Sequence, residues 1–260
     1  MDMSTQDFQA LMRSGRKLLV FTGAGASADS GIGTFRRSDH AWWTGLIGCI
    51  ALPVFGTHAG WTTAPRFCFF FYDRFFRRPI LRAQPNACHR FLGRADVDAF
   101  IITQNVDGLH QRAGTPPTRV AEIHGTIHRS ICGSCDALLH ETSTTPGVVY
   151  EEGAWEVSSC HCGGAPRPAA TLFGEAPPFT EGMRASVFVD SMSDGYDDEW
   201  LVLLIGTSGV VTTIFPYLGQ CQAKNKRIIL VDPRPTDRML AFANDVVRDT
   251  AQRAFEHLCQ

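Results

Sequence analysis

The sequence predicts an α/β fold: a doubly wound parallel sheet, interrupted by two insertions. Three observations predict it. Apolar runs of strand length, Lys17–Phe21, Val97–Thr103, Trp200–Ile205 and Arg227–Val231, alternate with helical patterns. Each run ends in glycine or small polar residues, at the place where open α/β sheets collect ligands. Residues 38–82 and 129–167 break the alternation, one by aromatic content and the other by paired cysteines. This leaves 1–37, 83–128 and 168–260 as the large domain.

With 260 residues, the chain is long enough for one large domain and a small one. A hydrophobic content of 44% supports a sizeable core and excludes global disorder. The formal charge of −2 implies no broad nucleic-acid field. Nine cysteines, four of them in two close pairs, point to metal ligation and reduced thiols, not to a secreted disulfide framework. The acidic start, Met1–Asp7, has no apolar core of a secretory signal and is not an Arg-rich transit peptide. An intracellular, cytoplasmic location is expected, with a mitochondrial one as the alternative. The longest apolar run, Ala41–Gly56, is broken by Thr44, three glycines and Pro53, so no membrane span is expected.

Taken in order, Phe8, Leu11 and Met12 stand at helical spacing and Ser14-Gly15 stops the helix. Lys17–Phe21 then runs as a strand into Gly23, Gly25 and Ala28, which fit the G-x-G-x-x-G/A spacing of a dinucleotide turn. The first glycine permits the turn. The second lets the backbone approach a pyrophosphate, and Ala28 lets a following helix pack close, its first amides facing the anion. The same letters also describe a plain glycine-rich turn of an α/β domain. The acid expected about 20 residues further on is absent, and Phe35-Arg36-Arg37 leads into the aromatic segment instead. That segment holds Trp42, Trp43, Trp61 and the run Phe67–Phe76. It reads as a mainly helical insertion, either an acyl or ligand pocket or a local aromatic core.

Pro85-Asn86 starts a helix through Leu92. The strand Val97–Thr103 ends in Gln104-Asn105-Val106-Asp107, followed by a short helix to Gly114. Val120–Ile123 is a short strand ending at His124, a group able to accept a proton near neutral pH. Cys132-x-x-Cys135 and Cys160-x-Cys162, in glycine-containing turns, suit tetrahedral zinc. Four thiolates leave no open position, so the expected metal is structural; free cysteines or a redox pair are the other readings. Later strands end at Gly206-Thr207-Ser208 and at Asp232, and Ala251–Leu258 closes the chain as a helix. Each strand end alone could be a turn or a cap. Together, the Gly23–Ser27 turn, the Gln104/Asn105/Asp107 cluster, Gly206–Ser208 and Asp232 describe a nucleotide crevice, with Asp232 placed to accept ribose hydroxyls.

Gly23-Ala24-Gly25-Ala26-Ser27-x-x-Ser30-Gly31-Ile32 with Phe35-Arg36, Thr103-Gln104-Asn105-Val106-Asp107-x-Leu109-His110-x-x-Ala113-Gly114, His124-Gly125, the cysteine pairs, Phe173-Gly174-Glu175 and Gly206-Thr207-Ser208 occur in one order. This series resembles the sirtuins, NAD-dependent protein lysine deacylases, over roughly residues 17–235. The resemblance implies a Rossmann-like large domain and a small zinc-binding and helical domain, with NAD and an acyl-lysine protein or peptide meeting between them. It implies that the acyl oxygen attacks the nicotinamide ribose and nicotinamide leaves. The acyl group ends on ADP-ribose as the 2′-O-acyl ester and lysine is freed. His124 would be the general base on a ribose hydroxyl. Asn105 would order ribose and water, Asp107 would bond the nicotinamide carboxamide, and Gln104 would contact the ribose. Ala24, Phe35 and Arg36 would line the nicotinamide and phosphate region, beside the Gly23, Gly25 and Ser27 turn. Gly206, Thr207, Ser208 and Asp232 would hold the adenosine side. Phe173-Gly174 would pair with the substrate backbone as an added strand.

The chain departs from the family pattern in several places. Ile32-Gly33-Thr34-Phe35-Arg36 replaces the usual Ile-Pro-Asp-Phe-Arg and resembles the branch that removes acidic acyl groups. That branch pairs a Tyr with an Arg three residues on. Here Tyr72 is followed by Phe75, with Arg74 and Arg77 off its face in an α-helix. A carboxylated acyl chain needs a cation, so acetyl or apolar acyl against succinyl or malonyl stays open. The second cysteine pair is short, Pro216 comes later than usual after Ser208, and Asp232 replaces asparagine. Two other functions fit the same fold: ADP-ribosyl transfer to protein, and a non-catalytic NAD-sensing zinc module. The complete set Gln104, Asn105, Asp107 and His124 favours an enzyme over the last.

Overall fold

The computed structural model describes residues 1–33, 56–141, 160–195 and 199–258. Its strands are β1 (Lys17–Thr22), β2 (Ala99–Thr103), β3 (Val120–Glu122), β4 (Gly125–Cys132), β5 (Leu138–Glu141), β6 (Pro166–Ala170), β7 (Trp200–Ile205), β8 (Ile228–Val231) and β9 (Asp245–Val247). Six of them form one parallel sheet in the order β3-β2-β1-β7-β8-β9. The central strands are apolar throughout because both faces are covered. Alternation along each strand splits their side chains between two cores. Leu18, Val20, Leu201, Leu203 and Ile205 pack with Phe8, Phe91 and Phe255 on one face. Leu19, Phe21, Val202 and Leu204 pack with Phe188, Met192 and Leu218 on the other. The order reverses between β1 and β7, and the crevice at such a switch point is where ligands bind in open α/β sheets.

Two findings differ from the sequence reading. No long helix follows the Gly23–Ser27 turn within the described residues. Two single 3-10 turns, Ala24–Ala26 and Ala28–Ser30, take its place, and Gly31 ends them in the left-handed region at φ 84°. The sheet also has the additional edge strand β9. It is held by Asp232 N donating to Val247 O at 3.1 Å.

The small domain has a three-stranded antiparallel sheet, β5-β4-β6. Helical pieces His58–Thr63, Pro65–Tyr72 and Arg78–Arg82 lie against it, the last two joined through a π-helical turn at Asp73–Arg77. Their shared core is Trp61, Cys68, Phe71, Tyr72, Ile80, Ile127 and Leu172. The expected aromatic insertion is therefore helical over its described part. Thr34, Phe35, Arg36, Trp42 and Trp43 lie outside the described residues. His124 stands between β3 of the large sheet and β4 of the small one. Its carbonyl accepts from Thr171 N at 2.8 Å, just beyond β6. No helix of the described residues is long and apolar enough to cross a membrane.

Candidate functional site

Parallel strands put their carboxyl ends on one edge, and the β1 and β7 ends are locked there turn against turn. Gly23 N donates to Ile205 O at 3.0 Å, and Gly25 N donates to Gly206 O at 2.8 Å. A Cβ on Gly25 would lie 2.6 Å from Gly206 Cα. The glycine is needed because a neighbouring backbone fills the space of its side chain. The sequence reading gave that space to pyrophosphate.

Asn105, from the end of β2, reaches back across this turn. Its Nδ2 donates to Gly23 O at 3.0 Å and to Ser27 Oγ at 3.1 Å. Ser27 Oγ in turn donates to Asp107 Oδ2 at 2.7 Å, and Leu109 N donates to Asp107 Oδ1 at 2.9 Å. Asp107 is buried. Burial pushes its pKa up; the Leu109 amide and the Ser27 hydroxyl oppose that by bonding the anion. Behind it, His89 Nε2 lies 3.4 Å from Ser27 Oγ, and His128 Nε2 lies 2.9 Å from Asp107 O. Burial holds the His128 ring near a pKa of about 4, so it is neutral at physiological pH.

His124 has a partner on each ring nitrogen. Nδ1 is 3.0 Å from Gln104 O and Nε2 is 2.9 Å from Thr213 Oγ1. A carbonyl only accepts, so in the neutral ring Nδ1 carries the proton and Nε2 carries the lone pair. Burial lowers the His124 pKa from 6.5, against the opposing effect of the Gln104 carbonyl. A lowered value keeps the base form populated above it. If His124 is the base, the acid limb of kcat/KM is therefore expected to fall below pH 6.5; a limb at or above that value would contradict the assignment. The measurement is a pH profile of initial rates.

These groups open onto one cavity of about 370 Å³. Ser27, Gln104, Asn105, Asp107, His124 and Thr213 line its polar end. Tyr72, Phe76, Ile80, Val106, Ile127 and Leu172 line the rest, and Phe173 and Gly174 also line it. Phe173 is exposed, its N donates to Gly56 O at 2.7 Å, and Gly174 takes φ 89°. Burial raises the Tyr72 pKa, and its ring stacks on Phe76 with centroids 5.9 Å apart. Neither Arg74 nor Arg77 lines the cavity. Arg77 Nη1 is held by Asp73 Oδ1 at 3.0 Å, and the exposed Arg74 lies over the Phe75 ring at 5.7 Å.

Of the other expected residues, Ala24 lines the cavity as well. Thr207 donates to Gln104 Oε1 at 3.0 Å, which ties the β7 end to the β2 end. Ser208 O accepts from Thr236 Oγ1, and Asp232 Oδ1 accepts from Arg234 N, each at 2.8 Å. Gly206, Ser208 and Asp232 thus sit at the β7 and β8 ends, outside the cavity lining. The sequence reading missed Thr213 and Val211. The only signal for them was the altered stretch after Ser208.

The four cysteines meet at the end of β4. Cys132 Sγ is 3.4 Å from Cys162 Sγ, and Cys135 Sγ is 3.6 Å from Cys160 Sγ. All four sulfurs lie within 4.8 Å of one another. A tetrahedral zinc with Zn–S of 2.3 Å has S···S edges of about 3.8 Å. Ser134 N and Gly164 N point at Cys132 Sγ and Cys162 Sγ, each at 3.4 Å, as donors to thiolates. The donor set and its spacing fit one structural zinc.

A sequence model of the Sir2 family matches residues 23–213, most of the chain. The protein is a member of the Sir2 family. NAD-dependent protein deacylase 1 of Pseudomonas aeruginosa is 31% identical over 260 residues, covering 94% of this chain and 97% of that protein. The NAD-dependent protein deacylase of Thermococcus kodakarensis is 35% identical, covering 80% of this chain and 77% of that protein. A solved Sir2 homologue, a mutant in complex with ADP-ribose, superposes with a TM-score of 0.77 at 27% identity, covering 100% of this chain and 95% of that one. A Sir2 homologue–NAD complex gives 0.74 at 27% identity, covering 98% and 92%. The Rossmann-like sheet with a cysteine-bearing small domain is thus the fold of this sirtuin.

Proposed function

We propose that this sirtuin removes acyl groups from protein lysines at the expense of NAD. The observation that carries the reading is the single cavity that joins an Nε2 lone pair on His124, the Asn105–Ser27–Asp107 network and an apolar channel. NAD, when bound, supplies an electrophilic ribose carbon with nicotinamide as leaving group and a ribose hydroxyl as acyl acceptor. The remaining work falls to side chains. His124 takes a hydroxyl proton at Nε2 while Gln104 O holds Nδ1–H. Asp107, pre-oriented by Ser27 and Leu109, accepts from the carboxamide. Asn105 orders the ribose. Ala24 lines the nicotinamide and phosphate side, and the family resemblance assigns Phe35 and Arg36 to the same role. Gly206, Thr207, Ser208 and Asp232 hold the adenosine. Phe173 and Gly174 meet the substrate backbone at the channel mouth. The cell interior suits the four-thiol cluster, which needs a reducing compartment.

The acyl group enters between Tyr72, Phe76, Ile80 and Ile127. A carboxylated chain would bring an anion into this apolar wall, which neither Arg74 nor Arg77 lines; Arg77 is held by Asp73, which it shares with Arg78. Burying an unpaired carboxylate costs several kcal/mol. The reading is therefore a preference for acetyl and longer apolar acyl groups over succinyl and malonyl by about 10²-fold or more in kcat/KM. The test is one panel of acyl-lysine peptides with NAD, reading nicotinamide and free lysine. Faster succinyl than acetyl turnover would contradict the acyl assignment. NAD consumption with label left on protein and no free lysine would favour ADP-ribosyl transfer instead.

A further inference from the structure

The contact on His124 that the function above does not use comes from Thr213. This residue lies in the stretch after Ser208, where Pro216 is displaced along the chain relative to the family pattern. Its hydroxyl sits between two site residues. Gln104 Nε2 donates to Thr213 Oγ1 at 3.1 Å and to Val211 O at 3.3 Å. Thr207 Oγ1 donates to Gln104 Oε1 at 3.0 Å, which fixes the amide with its NH₂ toward the loop. Because Thr213 Oγ1 receives that amide proton, its own proton faces His124 Nε2 at 2.9 Å. A protein hydroxyl thus holds the hydrogen-bonding position on the base that a reacting hydroxyl must take.

We propose that Thr213 is a positioning residue and an internal competitor of NAD. In the unliganded enzyme it keeps His124 in the Nδ1–H tautomer with Nε2 aimed into the cavity. Binding of NAD exchanges the Thr213 hydroxyl for the ribose hydroxyl. The same exchange frees Gln104 Nε2, so the Gly209–Ile214 turn releases both groups together. The inference rests on the assignment of His124 as the base.

A residue that must be displaced weakens binding by about the net value of the hydrogen bonds lost. That corresponds to about 2- to 10-fold in dissociation constant. The experiment is calorimetric titration of NAD into wild type, Thr213→Val, Thr213→Ala and Thr213→Ser, with steady-state kinetics alongside. Thr213→Val and Thr213→Ala are expected to bind NAD about 2- to 10-fold more tightly, with KM for NAD falling in parallel. Thr213→Ser, which keeps the hydroxyl, is expected to restore the wild-type dissociation constant. Equal or weaker binding by Thr213→Val and Thr213→Ala would overturn the proposal. So would a fall in kcat at unchanged affinity, which would put the hydroxyl in the transition state. Failure of wild type to bind NAD at all would overturn the parent reading with it, a result separable from the other two.

Discussion

Replacing His124 with alanine is expected to lower kcat/KM for deacylation by about 10²- to 10⁴-fold, the usual contribution of a positioned general base. The imidazole is placed by three elements at once. The β3 strand delivers it, Gln104 O at the end of β2 orients Nδ1, and Thr213 meets Nε2. The substitution removes two hydrogen bonds at a partly buried site, which costs only about 1–3 kcal/mol of stability. The protein should remain folded while turnover collapses. Far-ultraviolet circular dichroism and a thermal melt separate loss of the base from loss of the fold. Undiminished turnover in a folded His124→Ala variant would remove His124 from the chemistry.

The second large effect is expected from the metal. Structural zinc in small modules contributes about 10–16 kcal/mol of apparent binding free energy, as much as the whole stability of a typical domain. Here the ligands pin the end of the β4–β6 pairing, where Cys132 stands opposite Pro166. A Cβ on Gly164 would run into Cys132 Sγ, so the turn closes tightly on the cluster. The strand that ends at Cys132 begins at Gly125, directly after His124. Ile127 on that strand lines the cavity. Chelation or Cys132→Ser is therefore expected to abolish activity although none of the four clustered cysteines lines the cavity. Metal analysis should find about one zinc per chain, and the melting transition should drop or split on chelation. A metal-free preparation with unchanged melting and turnover would refute the structural zinc.

Most of the main sheet was legible because β1, β7 and β8 are buried on both faces and so are written as unbroken apolar runs. The edge strand β9 was not. Three residues beginning with an aspartate carry no period to read. The glycine turn was legible as a turn, but its continuation as a helix was not fixed locally. Gly25 answers to Gly206, far along the chain. Spacing alone located the cysteine cluster, since paired ligands in tight turns are a local pattern. Asp107 and Asn105 could be placed because they follow a strand directly. Thr213 could not, because its role depends on a hydrogen bond across 89 residues of sequence. The π-helical turn after Tyr72 was also hidden. It shifts the helical register through Arg74 and Arg77, and sequence periodicity assumes that register is constant.

The most direct test of the account is the product balance of one reaction: the folded enzyme, NAD and an acetyl-lysine peptide, followed by mass spectrometry. One nicotinamide, one free lysine and one acetyl-ADP-ribose are expected for each turnover, with all three lost in His124→Ala. Free acetate released without NAD consumption, or ADP-ribose on protein without freed lysine, would contradict it.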